Sequence, residues 1–142
     1  MPGLHLQQLH TACLGLSSAF NTALQTAELT PLTAVTADPP SGSPACPYLV
    51  VTLSGWRRRD PAAVGDSVLD TVWAVFRLET DQGENDALAY EGIVAGVLRG
   101  ARATVAAQVT DASLAFWRLD RSQTIGGSTW TSEVKVRVGL EW

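Results

Sequence analysis

The stretch WTSEVKVRVGLEW, residues 130–142, determines the fold class. Its residues form two alternating sets, and one set is apolar or small: Trp130, Ser132, Val134, Val136, Val138, Leu140 and Trp142. The other set is mostly charged or polar: Thr131, Glu133, Lys135, Arg137, Gly139 and Glu141. Successive side chains of a β-strand point to opposite faces of a sheet. The period of two therefore predicts a strand with one packed face and one polar face.

Three other stretches are rich in β-branched and aromatic residues, which favours strands. They are residues 48–54, residues 67–80 and residues 113–119. In the second of these, the predicted core face carries Val68, Val72, Ala74, Phe76 and Leu78, and the opposite face carries Thr71, Trp73, Val75, Arg77 and Glu79. That opposite face is more apolar than contact with solvent requires, because Trp73 and Val75 lie on it.

Two stretches show the spacing of three and four that places apolar residues along one side of a helix. The first ends before Pro31, and its stripe is Leu6, Leu9, Cys13, Leu16, Phe20 and Leu24. The second begins at Asn85, the expected N-cap, and reaches about Arg102, with the stripe Ala87, Tyr90, Val94, Val97, Leu98 and Ala101. Gly92, Gly96 and Gly100 recur on another side. Because each interior glycine costs about 1 kcal/mol relative to alanine, we expect them to allow close contact with another helix or backbone.

Five prolines in residues 30–47 predict an extended surface loop, because proline fixes one backbone angle and removes a hydrogen-bond donor. The resulting order is α-β-β-α-β-β. Adjacent strands can pair as hairpins, and both helices can cover one apolar face. The sequence therefore predicts one α+β domain over residues 1–142. It is a two-layer sandwich with a mainly antiparallel sheet of about four strands and two helices on one face.

Composition excludes several classes of protein. The chain has 142 residues and a net charge of −4, whereas a surface that binds nucleic acid through phosphate contacts needs clustered cations. No apolar stretch approaches the roughly 20 residues of a membrane-spanning helix, and the N-terminus does not resemble a signal peptide. Cys13 and Cys46 are far apart and lie in no motif, which favours a reducing compartment.

The residues that usually carry catalysis form no recognisable constellation. His5 and His10 lie about 140° apart around a helix, so they do not converge on a metal. Gly126-Gly127-Ser128 lacks the spacing of a phosphate-binding loop. Asp81, Glu84 and Asp86 form an acidic cluster that does not match a calcium loop. We therefore predict no enzyme activity, no catalytic residue, no metal and no cofactor.

Several residues are candidates for contacts between subunits. Arg57, Arg58 and Arg59 form the only run of like charge, and it can pair with carboxylates of a neighbour or form a solvated loop tip. Tryptophan is enriched in interfaces. The candidate contact residues are Trp56, Arg57, Arg58, Arg59, Trp73, Val75 and Trp142.

The order of elements and several of the stretches resemble a known family. The residues that carry the resemblance are the strand at 48–53, the strand end Val72-Trp73-Ala74-Val75-Phe76, the turn Gln82-Gly83-Glu84-Asn85-Asp86 and the helix at 89–98. They are similar to the tail terminator proteins of tailed bacteriophages, in the Mu-like branch with contractile tails. The resemblance implies a structural virion protein that forms a ring, usually a hexamer. Such a ring caps the tail tube and joins the tail to the neck.

The resemblance also implies location and partners. The partners are further copies of the chain, the tail tube protein, the sheath and the neck proteins, with DNA only in transit and no membrane. The protein is then found at the neck end of the virion tail, and in the host cytoplasm during assembly. We expect Asp81, Glu84 and Asp86 to face the channel, because cationic walls would hold DNA phosphates, and the arginine triplet to contact protein outside it.

Two alternatives stay open at the level of sequence. One is another head–tail connector or tail completion protein, which differs only in its partner. The other is a small ligand-binding or enzymatic α+β domain, which a deep polar pocket holding His10 or Tyr90 would favour.

Overall fold

The computed structural model of the protein describes residues 4–37, 45–59 and 67–142. In chain order its elements are α1 (Leu4–Leu14), α2 (Ser17–Thr26), β1 (Ala34–Thr36), β2 (Tyr48–Arg59), β3 (Leu69–Thr80), α3 (Glu84–Arg99), α4 (Arg102–Gln108), β4 (Ser113–Ile125) and β5 (Trp130–Glu141). The strands form one sheet in the order β1-β2-β3-β5-β4. β1 runs parallel to β2, and the other three pairs are antiparallel.

One face of the sheet is packed and the other is open. The packed face carries fully buried residues of the three central strands, including Val51, Phe76 and Val136, and the helices contact the sheet on this side. The predicted faces of β3 and β5 are therefore confirmed, as is the α+β class with a mainly antiparallel sheet. Each large apolar side chain buried in this way stabilises the fold by about 1.5–3 kcal/mol.

Three polar contacts position the helices on the sheet. The Tyr90 hydroxyl, at the centre of α3, donates to the carbonyl of Thr30 at 2.9 Å. Trp117 of β4 donates from Nε1 to the carbonyl of Leu98 at 2.7 Å, near the end of α3. The Ser132 hydroxyl of β5 donates to the carbonyl of Ala87 at 2.6 Å. Because all three groups are buried with a partner, they specify the position of α3 without the cost of an unsatisfied polar atom.

The number of helices and strands differs from the prediction. The first helical stretch is two helices. The chain turns at Gly15 and Leu16, where Leu16 N–H donates to the carbonyl of Cys13, three residues earlier instead of the four of an α-helix, at 3.2 Å. The second helix ends at Arg99, and α4 follows after Gly100. The proline-rich stretch contributes β1, a short parallel edge strand. Residues 38–44 of the predicted loop lie outside the described residues.

Two predictions about α3 are wrong. Its N-cap is Gly83, with φ 102°, rather than Asn85. Gly92, Gly96 and Gly100 are exposed, and a Cβ atom at Gly92 or Gly96 would meet nothing within 4 Å. The helix packs through the side that carries Ala87, Tyr90, Val94 and Leu98, and the glycines lie on the other side.

Candidate functional site

A β-bulge reverses the direction of the side chains in the arginine triplet. Ser54 pairs with Trp73, and Arg57 pairs with Thr71. Two residues of β2, Gly55 and Trp56, therefore lie opposite one residue of β3, Val72. Gly55 adopts φ 64°, a left-handed conformation that suits glycine. After the bulge, Arg57 is opposite Thr71 on the open face. Trp56 and Arg58 now project to the face that the helices cover.

The reversal brings Arg58 to a buried carboxylate. Arg58 is opposite Asp70, whose side chain is fully shielded from solvent. Its Nε donates to Asp70 Oδ1 at 2.8 Å, and its Nη2 donates to Oδ2 at 3.2 Å. His5 Nε2 lies 2.6 Å from the same Oδ2, and Trp142 Nε1 donates to it at 2.9 Å. This cluster joins α1, β2, β3 and the end of the chain.

The hydrogen bonds decide the charge of Asp70. Burial alone would raise the pKa of this carboxyl group, because a charged group loses hydration in the interior. The hydrogen bonds from Arg58, Trp142 and His5, together with the charge of Arg58, outweigh that effect and hold the pKa of Asp70 below its usual value. Asp70 is therefore an anion within a structural cluster.

The surface above the cluster is a stack of two tryptophans around one guanidinium. The Arg58 guanidinium carbon lies 4.9 Å from the ring centroid of Trp56 and 4.9 Å from that of Trp142. Trp56 is 49% exposed and Trp142 is 44% exposed. Backbone hydrogen bonds in both directions between Trp142 and Val68 fix the end of the chain. The stack is therefore held in place at Trp142 and remains half open to solvent.

Three of the predicted contact residues thus come together, and the others lie elsewhere. Trp56, Arg58 and Trp142 form the stack, whereas Arg57, Trp73 and Val75 belong to the open face. Val75 keeps only 6% of its surface, so Trp73, which is partly exposed, is the more accessible of these two apolar residues. The prediction for the Arg59 side chain lies outside the described residues.

The indole of Trp73 sits between two depressions of the open face. Its ring lies across Gly55, where a Cβ atom would come within 2.6 Å of Trp73 Cδ1. The first depression, of about 300 Å³, is lined by Trp73 with Arg57 and Arg137. The second, of about 240 Å³, is lined by Trp73 with Arg121 and Lys135, and Asp120 is also at its edge. We call Trp73 and these four cations the Trp73 cleft.

The open face concentrates the cations of the chain. Among the described side chains, register places six Lys and Arg residues on it: Arg57, Arg77, Arg118, Arg121, Lys135 and Arg137. They face four carboxylates, namely Glu79, Asp120, Glu133 and Glu141. Ion pairs join Glu133 to Arg77 at 3.4 Å and to Lys135 at 3.9 Å. Among the described side chains, the open face thus carries more cations than carboxylates, although the whole chain has a net charge of −4.

The predicted acidic cluster lies at the N-terminal end of α3. Asp81 is exposed in the turn after β3, and Glu84 and Asp86 occupy the first turn of the helix. Carboxylates at this end are stabilised by the helix dipole. No ion pair of these three residues occurs among the described parts of the chain. Their expected position at a channel stays a prediction.

The groups that could carry catalysis have structural surroundings. His10 Nε2 lies 2.8 Å from the carbonyl of Val51. Cys13 is a free, buried thiol, and burial raises its pKa to about 12, so it is not a thiolate near neutral pH. Within the described ranges no three His, Cys, Asp or Glu residues are placed to hold a metal ion. None of the helices described there is long and apolar enough to cross a membrane.

The sequence analysis missed Asp70 as the centre of a cluster. The available signal was its register, because Asp70 falls between Val68 and Val72 on the predicted core face of β3. A carboxylate at such a position requires buried donors. The identity of those donors could not be read from the sequence, since His5 and Trp142 lie 65 and 72 residues away.

Comparison with known proteins identifies a shared fold. No family model matches the chain, and no curated protein matches it. Among solved structures, a chain of the virion of a native gene transfer agent particle is similar, with a TM-score of 0.60 and 21% sequence identity. The alignment covers 89% of this chain and 95% of that chain. The two chains therefore have the same fold over nearly their full lengths.

Proposed function

We propose that this chain is a structural protein of a phage-like virion, and specifically the tail terminator. In this role it forms a ring, a hexamer by the family resemblance, that caps the tail tube and joins it to the neck. The observation that carries the proposal is the fold shared with a virion chain over 89% of this chain and 95% of the other. The element order and the turn at residues 82–86 supply the finer assignment through their resemblance to tail terminators.

The surface of the subunit supports a role in assembly rather than catalysis. The exposed stack of Trp56, Arg58 and Trp142 combines the residue types that dominate binding energy in protein interfaces. It is held rigid by the buried Asp70, so little side-chain entropy remains to be lost on binding. Together with Arg57, Arg59, Trp73 and Val75, these are the proposed contact residues.

A ligand-binding or enzymatic domain is the weaker alternative. Such a domain would need a deep polar pocket around His10 or Tyr90. Tyr90 is fully buried and its hydroxyl is satisfied by Thr30, while His10 is paired with Val51. The depressions at Trp73 lie on the open face of the sheet, and neither residue lines them.

The test is assembly on tail tubes. We expect the purified protein to sediment as a ring at micromolar concentration, or to form one on isolated tube ends, and negative-stain images to show it at the neck end. A connector of a different kind would instead bind the portal side and leave tube ends bare. A protein that stays monomeric and binds neither would contradict the proposal.

A further inference from the structure

The side of α3 that faces solvent has features that the isolated chain does not explain. Leu88 is 48% exposed. Gly92 and Gly96 have open space around them, and each interior glycine costs about 1 kcal/mol relative to alanine. Glu84 and Glu91 lie beside Leu88 along the helix, at spacings of four and three. We call Asp81, Glu84, Leu88 and Glu91, with the bare backbone at Gly92, the acidic end of α3.

The Trp73 cleft has the complementary composition. It offers an indole between two pairs of cations, Arg57 with Arg137 and Arg121 with Lys135. Of these, Arg57, Arg121 and Arg137 have no ion pair within the described residues. An apolar side chain flanked by carboxylates therefore fits this cleft both in charge and in hydrophobicity.

The two surfaces cannot meet within one molecule. The cleft lies on the open face of the sheet, whereas α3 packs on the opposite face through Tyr90 and Leu98. A second copy of the chain carries the complement and can supply it. A contact between two different surfaces of identical chains is head-to-tail, and such contacts close into rings when the rotation permits.

We propose that the Trp73 cleft of one subunit binds the acidic end of α3 of the next, with Leu88 packed against Trp73 and the carboxylates paired with the flanking cations. This inference rests on the proposed ring function and assigns the contact that forms the ring. It explains why six of the described cations lie on one face of a chain whose net charge is negative. It also explains why glycines occupy an exposed helix side, because a small residue allows a neighbouring backbone or ring to approach closely.

The proposal is tested by exchanging charges between the two surfaces. The cleft variant is Arg57→Glu with Arg121→Glu, and the helix variant is Glu84→Lys with Glu91→Lys. Each variant alone places like charges on the cleft and on the helix that binds it. We therefore expect self-association to weaken by about 100-fold or more. A 1:1 mixture should restore it, because each variant's cleft then meets the other's helix, and an even-numbered ring can alternate the two. The chain that carries all four substitutions should also assemble.

The matched control is Arg99→Glu with Arg102→Glu, which changes net charge as much as the cleft variant but lies at the end of α3 and the start of α4, away from the open face. It should assemble as the wild-type chain does. Gly92→Leu provides a probe that changes no charge. Because open space surrounds Gly92, the variant should fold with an unchanged circular dichroism spectrum and yet fail to assemble. Sedimentation velocity across a salt series measures each case.

The outcomes separate the contact from the function. A wild-type chain that assembles, together with cleft or helix variants that assemble equally well, overturns the contact and leaves the proposed function standing. A wild-type chain that is monomeric and ignores tube ends overturns both. If the helix variant assembles normally, the acidic residues are free to face a channel instead. If the cleft variant assembles normally but loses binding to a DNA duplex, the open face belongs to nucleic acid.

Discussion

Arg58 donates two hydrogen bonds to the carboxylate of Asp70, and it reaches that carboxylate only because Gly55 forms a bulge three residues earlier. Without the extra residue, the alternation of β2 would place Arg58 on the open face and Arg57 on the packed one. A single glycine with φ 64° therefore determines which arginine is structural and which is available to a partner.

Replacement of Arg58 should weaken the fold, and the same replacement of its neighbour should not. Arg58→Met removes two charge-assisted hydrogen bonds from a buried anion, and we expect a loss of about 1.5–3 kcal/mol in the free energy of unfolding. Arg57→Met, on the open face, should change it by less than about 0.5 kcal/mol. Urea unfolding of both variants measures the difference. Equal effects would show that the bulge does not orient the triplet in this way.

The stability of the chain should fall in acid partly through Asp70. Its pKa in the folded chain is below the ordinary value, which is about 3.9 in an unfolded chain. The unfolded state therefore binds the proton first as pH falls. The stabilisation that ionised Asp70 provides is complete above about pH 4, and it is lost as the pH falls through the lower pKa of Asp70 in the folded chain. Unfolding free energies at pH 7 and pH 3 should differ less in Asp70→Asn than in the wild-type chain. If the difference between pH 7 and pH 3 is the same in both chains, Asp70 does not contribute to the loss of stability in acid.

Gly55→Ala should destabilise the chain by about 1–3 kcal/mol. Alanine tolerates the left-handed conformation poorly, and its Cβ atom would come within 2.6 Å of Trp73 Cδ1, so the indole must move. Because Trp73 separates the two depressions, the variant should also lose self-association. Thermal unfolding and sedimentation measure the two effects. Wild-type stability would mean that the bulge can form without glycine.

Gly96→Ala should have the opposite sign and stabilise the chain by about 0.5–1 kcal/mol. The helical backbone at this position accepts alanine, and no atom lies within 4 Å of the new Cβ. Chemical unfolding at a concentration too low for assembly isolates this effect. A loss of stability would indicate that another part of the chain contacts the helix at Gly96.

The fold could be predicted from local patterns, but several details could not. The period of two in β5 and the faces of β3 identified the α+β sheet, because alternation is a property of each strand alone. The division of the first helix near Gly15 and the short β1 depend on how these segments meet the rest of the chain. The glycines of α3 were misread, since periodicity shows that residues share a side of a helix but not what that side contacts.

The class of fold, the faces of the strands and the residue types available to an interface can all be inferred from the amino-acid sequence. These follow from the spacing of apolar residues along the chain, which any local segment carries. The stack of Trp56, Arg58 and Trp142 over Asp70 and His5, and the six cations on the open face, become visible only when the chain is folded. Such groupings arise when distant strands pair in one register. A single bulge at Gly55 shifts the pairing of β2 with β3 by one residue. Every later side chain of β2 therefore lies on the opposite face of the sheet.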